Sequence, residues 1–205
     1  MTANYLTATL VGTALGFATV AIASDLPAGG AALTRNVQTC TACHGDKGRS
    51  VAPTFPNLAA QSASYIDAQL KAFKDQTRAD PDAQAYMWGM ASQLSDAEIA
   101  DLAAYFAKQS AAPGKGGDPV LVARGKHVFE EGIPALRVPA CASCHGAQGE
   151  GVATFPRLAG QHAPYLLKQL LVIQNALRNA PVMHGVVKDL TKEQMLAVAS
   201  YLESL

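Results

Sequence analysis

The sequence predicts an all-α chain built from two tandem copies of one small domain. Three observations carry this. Landmarks of the first half return in the second in the same order, apolar residues recur at three- and four-residue spacing, and no run of alternating β-branched residues is long enough for a sheet. FPNLAAQSASYIDAQL at 55–70 matches FPRLAGQHAPYLLKQL at 155–170 in nine of sixteen positions. Downstream, MWGMASQLS from Met87 pairs with MHGVVKDLT from Met183, and Tyr105 and Tyr201 fall at matching places in the last apolar segments.

The elements follow in chain order. Residues 1–24 contain no Asp, Glu, Lys or Arg, and Leu6 to Ala23 is apolar with interspersed Thr and Gly. This segment reads either as a secretory signal, with Ala21-Ile22-Ala23 as the small-x-small cleavage site, or as an uncleaved membrane anchor. Both readings place everything after Asp25 on the outer face of the membrane. The first domain, 25–110, opens with a short helix around Ala31 to Gln38 and closes with a helix that starts at Ser95. Ser95-Asp96-Ala97-Glu98 has the capping-box pattern, in which hydroxyl and acid satisfy free backbone donors, and Ile99, Leu102, Ala103 and Phe106 form its apolar face. AAPGKGGDP, at 111–119, breaks helices and reads as a linker. The second domain, 120–205, starts with a helix whose Leu121, Gly125 and Phe129 share one face, and Gly125 lets a crossing helix approach closely. It closes behind Thr191-Lys192-Glu193-Gln194 with Met195, Val198, Ala199 and Leu202 facing inward.

Sixteen Lys and Arg balance sixteen Asp and Glu, so no basic field exists to hold a nucleic acid backbone. Asp25 to Ala112 carries 7 positive and 9 negative residues and Pro113 to Leu205 carries 9 and 7, a weak polarity suited to a solvated surface.

TCTACHG at 39–45 and ACASCHG at 140–146 place two cysteines and a histidine at one spacing in each copy. A shared zinc site would have to bridge two separate domains, and each pair is followed at once by His. A redox dithiol lacks its usual strand-to-helix turn. A disulfide between residues three apart closes too small a loop to remove much unfolded-state entropy. Covalent haem accounts for every part of the pattern: thioethers from Cys40 and Cys43, and from Cys141 and Cys144, fix two haem c groups, with His44 and His145 as proximal iron ligands.

The sixth ligand decides the chemistry, because a Met/His iron has a raised potential and is closed to substrates. Met87 and Met183 are the only methionines that align between the copies; Val186 stands at the place of Met90. His184 adjoins Met183, but its counterpart is Trp88, which cannot ligate. His127 and His162 have no histidine counterpart and read as surface or hydrogen-bonding residues. Pro56 and Pro156 follow the haem motifs at the right place to aim a carbonyl at each proximal imidazole. Tyr65, Tyr165, Gln69 and Gln169 read either as haem-propionate donors or as helix-packing residues with polar tips.

The two CXXCHG motifs, the two FPxLAxQ stretches, the Met-x-Gly segments and the LAAYF and VASYL closing helices resemble cytochrome c4, and the resemblance covers nearly everything after residue 28. It implies two class I cytochrome c domains, each wrapped around one haem and paired about a pseudo-twofold axis. It also implies a periplasmic electron carrier, free or tethered to the outer face of the inner membrane through residues 1–23. Its donor is a quinol-cytochrome c oxidoreductase or a dehydrogenase, and its acceptor a terminal oxidase. The alternatives are an electron-accepting subunit held by a dehydrogenase, such as the flavin subunit of a sulfide dehydrogenase, and a dihaem peroxidase. The aligned methionine pair argues against the peroxidase.

Overall fold

The computed structural model describes residue 1 and residues 30–205, so the expected signal or anchor at 1–24 lies outside the described residues. Helix α1 (Gly30–His44) is longer than the sequence suggested. No Gly or Pro interrupts Gln38 to His44, so the helix runs on through the cysteine motif and ends at the histidine. Helix α2 (Ala63–Lys74) starts where the Ser62 hydroxyl accepts the Tyr65 N–H. A π-helical turn (Ala83–Met87) then leads into α3 (Trp88–Ser92). Helix α4 (Asp96–Ala107) closes the domain with the expected capping box of Ser95 and Glu98.

The second domain repeats this order with its opening helix divided in two and with one helix in place of the π-helical turn and α3. Helix α5 (Pro119–Glu131), capped by the Asp118 carboxylate on the Val120 and Leu121 N–H groups, stops at Gly132 in the left-handed region (φ 74°). A short turn (Pro134–Leu136), braced by an antiparallel bridge between Ile133 and Val138, separates it from α6 (Ala142–His145), which holds the second motif. Helices α7 (Ala163–Gln174), α8 (Pro181–Val187) and α9 (Lys192–Ser204) follow, the last with the Thr191/Gln194 capping box. The described residues form helices and two isolated β-bridges, as the absence of strand patterning predicted.

Opening and closing helices cross in each domain, α1 on α4 and α5 on α9, while α2 packs on α4 and α7 on α9. The residues assigned to the inner faces of α4 and α9 are all buried. In the first domain Ile66, Leu102, Ala103 and Phe106 pack with Leu33, Val37 and Cys40; in the second, Val128, Phe129, Leu166, Val198 and Leu202 pack with Cys141. Residues 110–118 carry no helix and lie along the end of α9, where the Lys115 N–H donates to the Glu203 carbonyl (2.7 Å). Among the described residues no helix is long and apolar enough to cross a membrane.

The domains meet through self-complementary polar contacts. The Gln61 side chain receives the Arg157 N–H (2.8 Å) and donates to the Arg157 carbonyl (2.9 Å). Gln161 does the same to Asn57, receiving its N–H (2.8 Å) and donating to its carbonyl (2.9 Å). Each domain thus reads the other's backbone with the same residue of the repeat, the signature of a twofold interface. Lys168 pairs with Asp82 across the same boundary, and the ring of His162 lies 3.0 Å from the Ser50 carbonyl.

Candidate haem sites

Each CXXCH motif ends on a helical turn, so one cysteine faces the core and the histidine turns back under the domain. Gly45 and Gly146 then reverse the chain at φ 76° and 86°. A Cβ at Gly45 would sit 1.9 Å from the Arg49 carbonyl oxygen, so only glycine fits that turn. Burial pushes the Cys40 and Cys141 thiols up to about 11. All four cysteines are free of disulfides, and no cluster of three or more His, Cys, Asp or Glu side chains suited to a metal ion occurs among the described residues.

His44 is 8% exposed and His145 4%. Their Nδ1 atoms lie 2.8 Å and 2.9 Å from the carbonyl oxygens of Pro56 and Pro156, the contacts the sequence suggested. A carbonyl can only accept, so Nδ1 carries the proton and Nε2 keeps its lone pair. Burial lowers the pKa of both rings against the opposing pull of the proline carbonyls, so each imidazole is held neutral, the form that binds a metal.

His145 Nε2 is buried and has no hydrogen-bond partner. It opens on an apolar cleft whose walls include Cys141, Cys144, Phe155, Val182 and Met183. A buried lone pair without a donor costs free energy unless something occupies it. The cleft brings the two cysteines, the histidine and the aligned methionine of the second domain together around an apolar space, which fits a haem. In the first domain His44, Phe55 and Tyr86 form a chain of edge-to-face contacts (6.1 Å and 5.9 Å) that joins His44 to the segment carrying Met87. The second domain has the matching His145–Phe155 contact at 6.0 Å. Met87 is half-buried beside Phe73 and Trp88, whereas Met90 is 55% exposed.

The remaining histidines are occupied elsewhere. His184 lies with Nδ1 2.9 Å from the Ile173 carbonyl, and His127 lies on the surface beside Glu131. Tyr65, Gln69 and Gln169 join a group that sequence reading missed. Arg78 and Arg178, both buried, donate to the Gln69 and Gln169 side-chain oxygens, and Arg178 also donates to the Tyr65 hydroxyl (2.7 Å). The repeat held a signal for this pair: Arg78-Ala79-Asp80-Pro81 and Arg178-Asn179-Ala180-Pro181 keep Arg and Pro at equal spacing.

The family model described as Cytochrome c matches residues 28–110 and again 122–205. The chain is 43% identical over 168 residues to cytochrome c-552 of Acidithiobacillus ferridurans, covering 81% of this chain and 73% of that one. It is 40% identical over 172 residues to cytochrome c4 of Pseudomonas aeruginosa, covering 81% and 83%. The solved structure of Acidithiobacillus ferrooxidans cytochrome c4 superposes with a TM-score of 0.78 at 42% identity, over 82% of this chain and 99% of that one. The chain belongs to the cytochrome c family, as a cytochrome c4-like electron carrier of two tandem domains with two covalently bound haem c groups.

Proposed function

We propose that the chain carries electrons one at a time between respiratory partners on the outer face of the inner membrane, from a quinol-cytochrome c oxidoreductase or a dehydrogenase toward a terminal oxidase. In this reading the domains span 25–110 and 120–205 with 111–119 as linker. Cys40 and Cys43 hold the first haem covalently, with His44 and Met87 on its iron; Cys141, Cys144, His145 and Met183 do the same for the second. Haem iron, when bound, supplies the one-electron couple. The protein's part is to fix it and keep it closed. The Pro56 and Pro156 carbonyls hold each imidazole in the tautomer that offers Nε2, and raise its basicity as a ligand. Met87 and Met183 would supply sulfur ligands that raise the potential and leave no site for a substrate, and the apolar walls would keep water from the centre.

The observation that carries the reading is the buried, unpartnered His145 Nε2 facing a cleft that also holds Cys141, Cys144 and Met183. The test is the weak far-red absorption band of oxidised haem that reports iron–sulfur ligation, measured per haem. The expected result is two equivalents, one lost in Met87→Ala and the other in Met183→Ala. A band worth one haem in the unaltered protein refutes the assignment in the domain that lacks it. A stoichiometric dehydrogenase subunit retained through purification would move the chain from free carrier to bound electron acceptor.

A further inference from the structure

Helix α7 of the second domain fastens both of the segments that carry the aligned methionines. In its own domain the Ile173 carbonyl stands 2.9 Å from Nδ1 of His184, the neighbour of Met183. Gln174 Nε2 donates to the Val187 and Leu190 carbonyls (3.0 Å and 2.8 Å) at and beyond the end of α8. Toward the first domain, Gln169 accepts from the Arg78 guanidinium (2.9 Å) and Lys168 pairs with Asp82.

The segment that Lys168 reaches is longer than its counterpart. Residues 82–86 separate Pro81 from Met87, whereas Val182 alone separates Pro181 from Met183. The added length forms the π-helical turn that ends at Met87, and Asp82 is the residue that opens it. Such turns are rare and tend to occur at functional sites. Within the first domain the turn is held by Ala83 packed on Phe73, by Gln84 Nε2 on the Ala79 carbonyl (2.6 Å), and by Trp88 Nε1 on the Arg78 carbonyl (2.8 Å). The arginine contacts run both ways across the boundary, since Arg178 reaches Gln69 and Tyr65. The Lys168–Asp82 pair has no such equivalent: Ala68 stands at the place of Lys168, and Val182 follows Pro181 where Asp82 follows Pro81.

We propose that Lys168 is a positioning residue for the sixth ligand of the first haem, because the second domain holds through it the turn that presents Met87. The inference rests on the reading of Met87 as an iron ligand given above. Lys168 acts only through Asp82 and the turn that Asp82 opens.

The test is displacement of methionine by added imidazole in the oxidised holoprotein, followed as loss of the far-red iron–sulfur band. The imidazole nitrogen takes the place that the methionine sulfur leaves, so its apparent affinity measures how firmly the turn holds the ligand. In a Met183→Ala background the band reports the first haem alone, and in Met87→Ala the second alone. The side chains of Lys168 and Asp82 are 41% and 37% exposed, so the effect is that of a partly solvated ion pair. Lys168→Ala should raise imidazole affinity at the first haem by about two- to fivefold and leave the second unchanged, although Lys168 belongs to the second domain. The exchanged pair, Lys168→Asp with Asp82→Lys, should restore the tighter hold. An unmoved affinity at the first haem, an equal rise at both haems, or no recovery in the exchanged pair overturns the inference; the equal rise would mean that α7 had merely loosened. Absence of the band from Met183→Ala refutes Met87 as a ligand and takes the inference with it, whereas a band that is present there and indifferent to Lys168→Ala refutes the inference alone.

Discussion

Replacing Gly125 by Ala should loosen the close crossing of α5 on α9. Gly125 lies in the middle of α5, and a Cβ built there would sit 1.9 Å from the Ala197 carbonyl oxygen, 2.5 Å from its carbon and 2.8 Å from the Tyr201 Cβ, all on α9. Ordinary contact begins near 3.4 Å, so the two helices must part by about 1.5 Å, the difference between 3.4 and 1.9. Both partners of the clash belong to a regular helix, and neither can rotate away as a flexible side chain would. Parting α5 from α9 opens the contacts of Phe129 with Tyr201, whose rings stand 5.5 Å apart, and of Val128 and Leu202 in the same core. Overpacking and the resulting voids cost about 2–4 kcal/mol, against roughly 1 kcal/mol recovered from the better helix propensity of Ala. The net expectation is a loss of about 1–3 kcal/mol, read by guanidinium unfolding of the oxidised holoprotein followed by far-ultraviolet circular dichroism. Gly116→Ala, where nothing lies within 4 Å, serves as the control and should fall within about 0.5 kcal/mol of the unaltered protein. Equal or greater stability in Gly125→Ala would refute the close crossing of α5 and α9.

Three further outcomes follow from local geometry. Ser95→Ala and Thr191→Ala each remove a capping box at the start of a closing helix and should cost about 1 kcal/mol by the same unfolding assay. Glu98 is held down at about 2 by hydrogen bonds from the Ser95 backbone and hydroxyl and from Asn36. Its folded pKa is below the unfolded value, so its contribution is present above pH 4.5 and is lost as pH falls toward 2. The stability difference between the unaltered protein and Glu98→Gln should shrink over that window, and a difference that stays constant would contradict the hydrogen-bond network. Gln61→Ala and Gln161→Ala each strip two backbone partners from the opposite domain; both should destabilise, by about 1–3 kcal/mol and by similar amounts, because the contacts are equivalent. A large effect from only one of them would mean that the twofold pairing is not the source of the stability.

What could be read from the sequence was what depends on near neighbours in the chain. The capping boxes and the inward faces of α4 and α9 are set within one or two turns, and they stand where the spacing put them. The proline carbonyls facing His44 and His145 were legible because a short loop from a fixed motif has few ways to return. Helix α1 runs past Gln38, where the sequence reading stopped it, because the residues of the cysteine motif have no reason to leave the helix. Arg78 and Arg178 were missed for a different reason. An arginine in a polar segment between helices reads as solvated, and its acceptors Gln69 and Gln169 lie partly in the other domain, at a distance that no local pattern encodes.

The repeat itself carried more than domain count. In FPxLAxQ the proline serves its own domain, through the carbonyl on the histidine, while the glutamine serves the other, through the backbone of Asn57 or Arg157. A duplicated residue that points outward at one place in each copy is self-complementary by construction, so conservation of Gln61 and Gln161 within a single chain is what a twofold pairing requires. The same logic gives meaning to the places where the repeat is broken. Both copies keep Arg but only one keeps the acid, so Arg78 has an ion pair with Asp80 where Arg178 has only neutral partners.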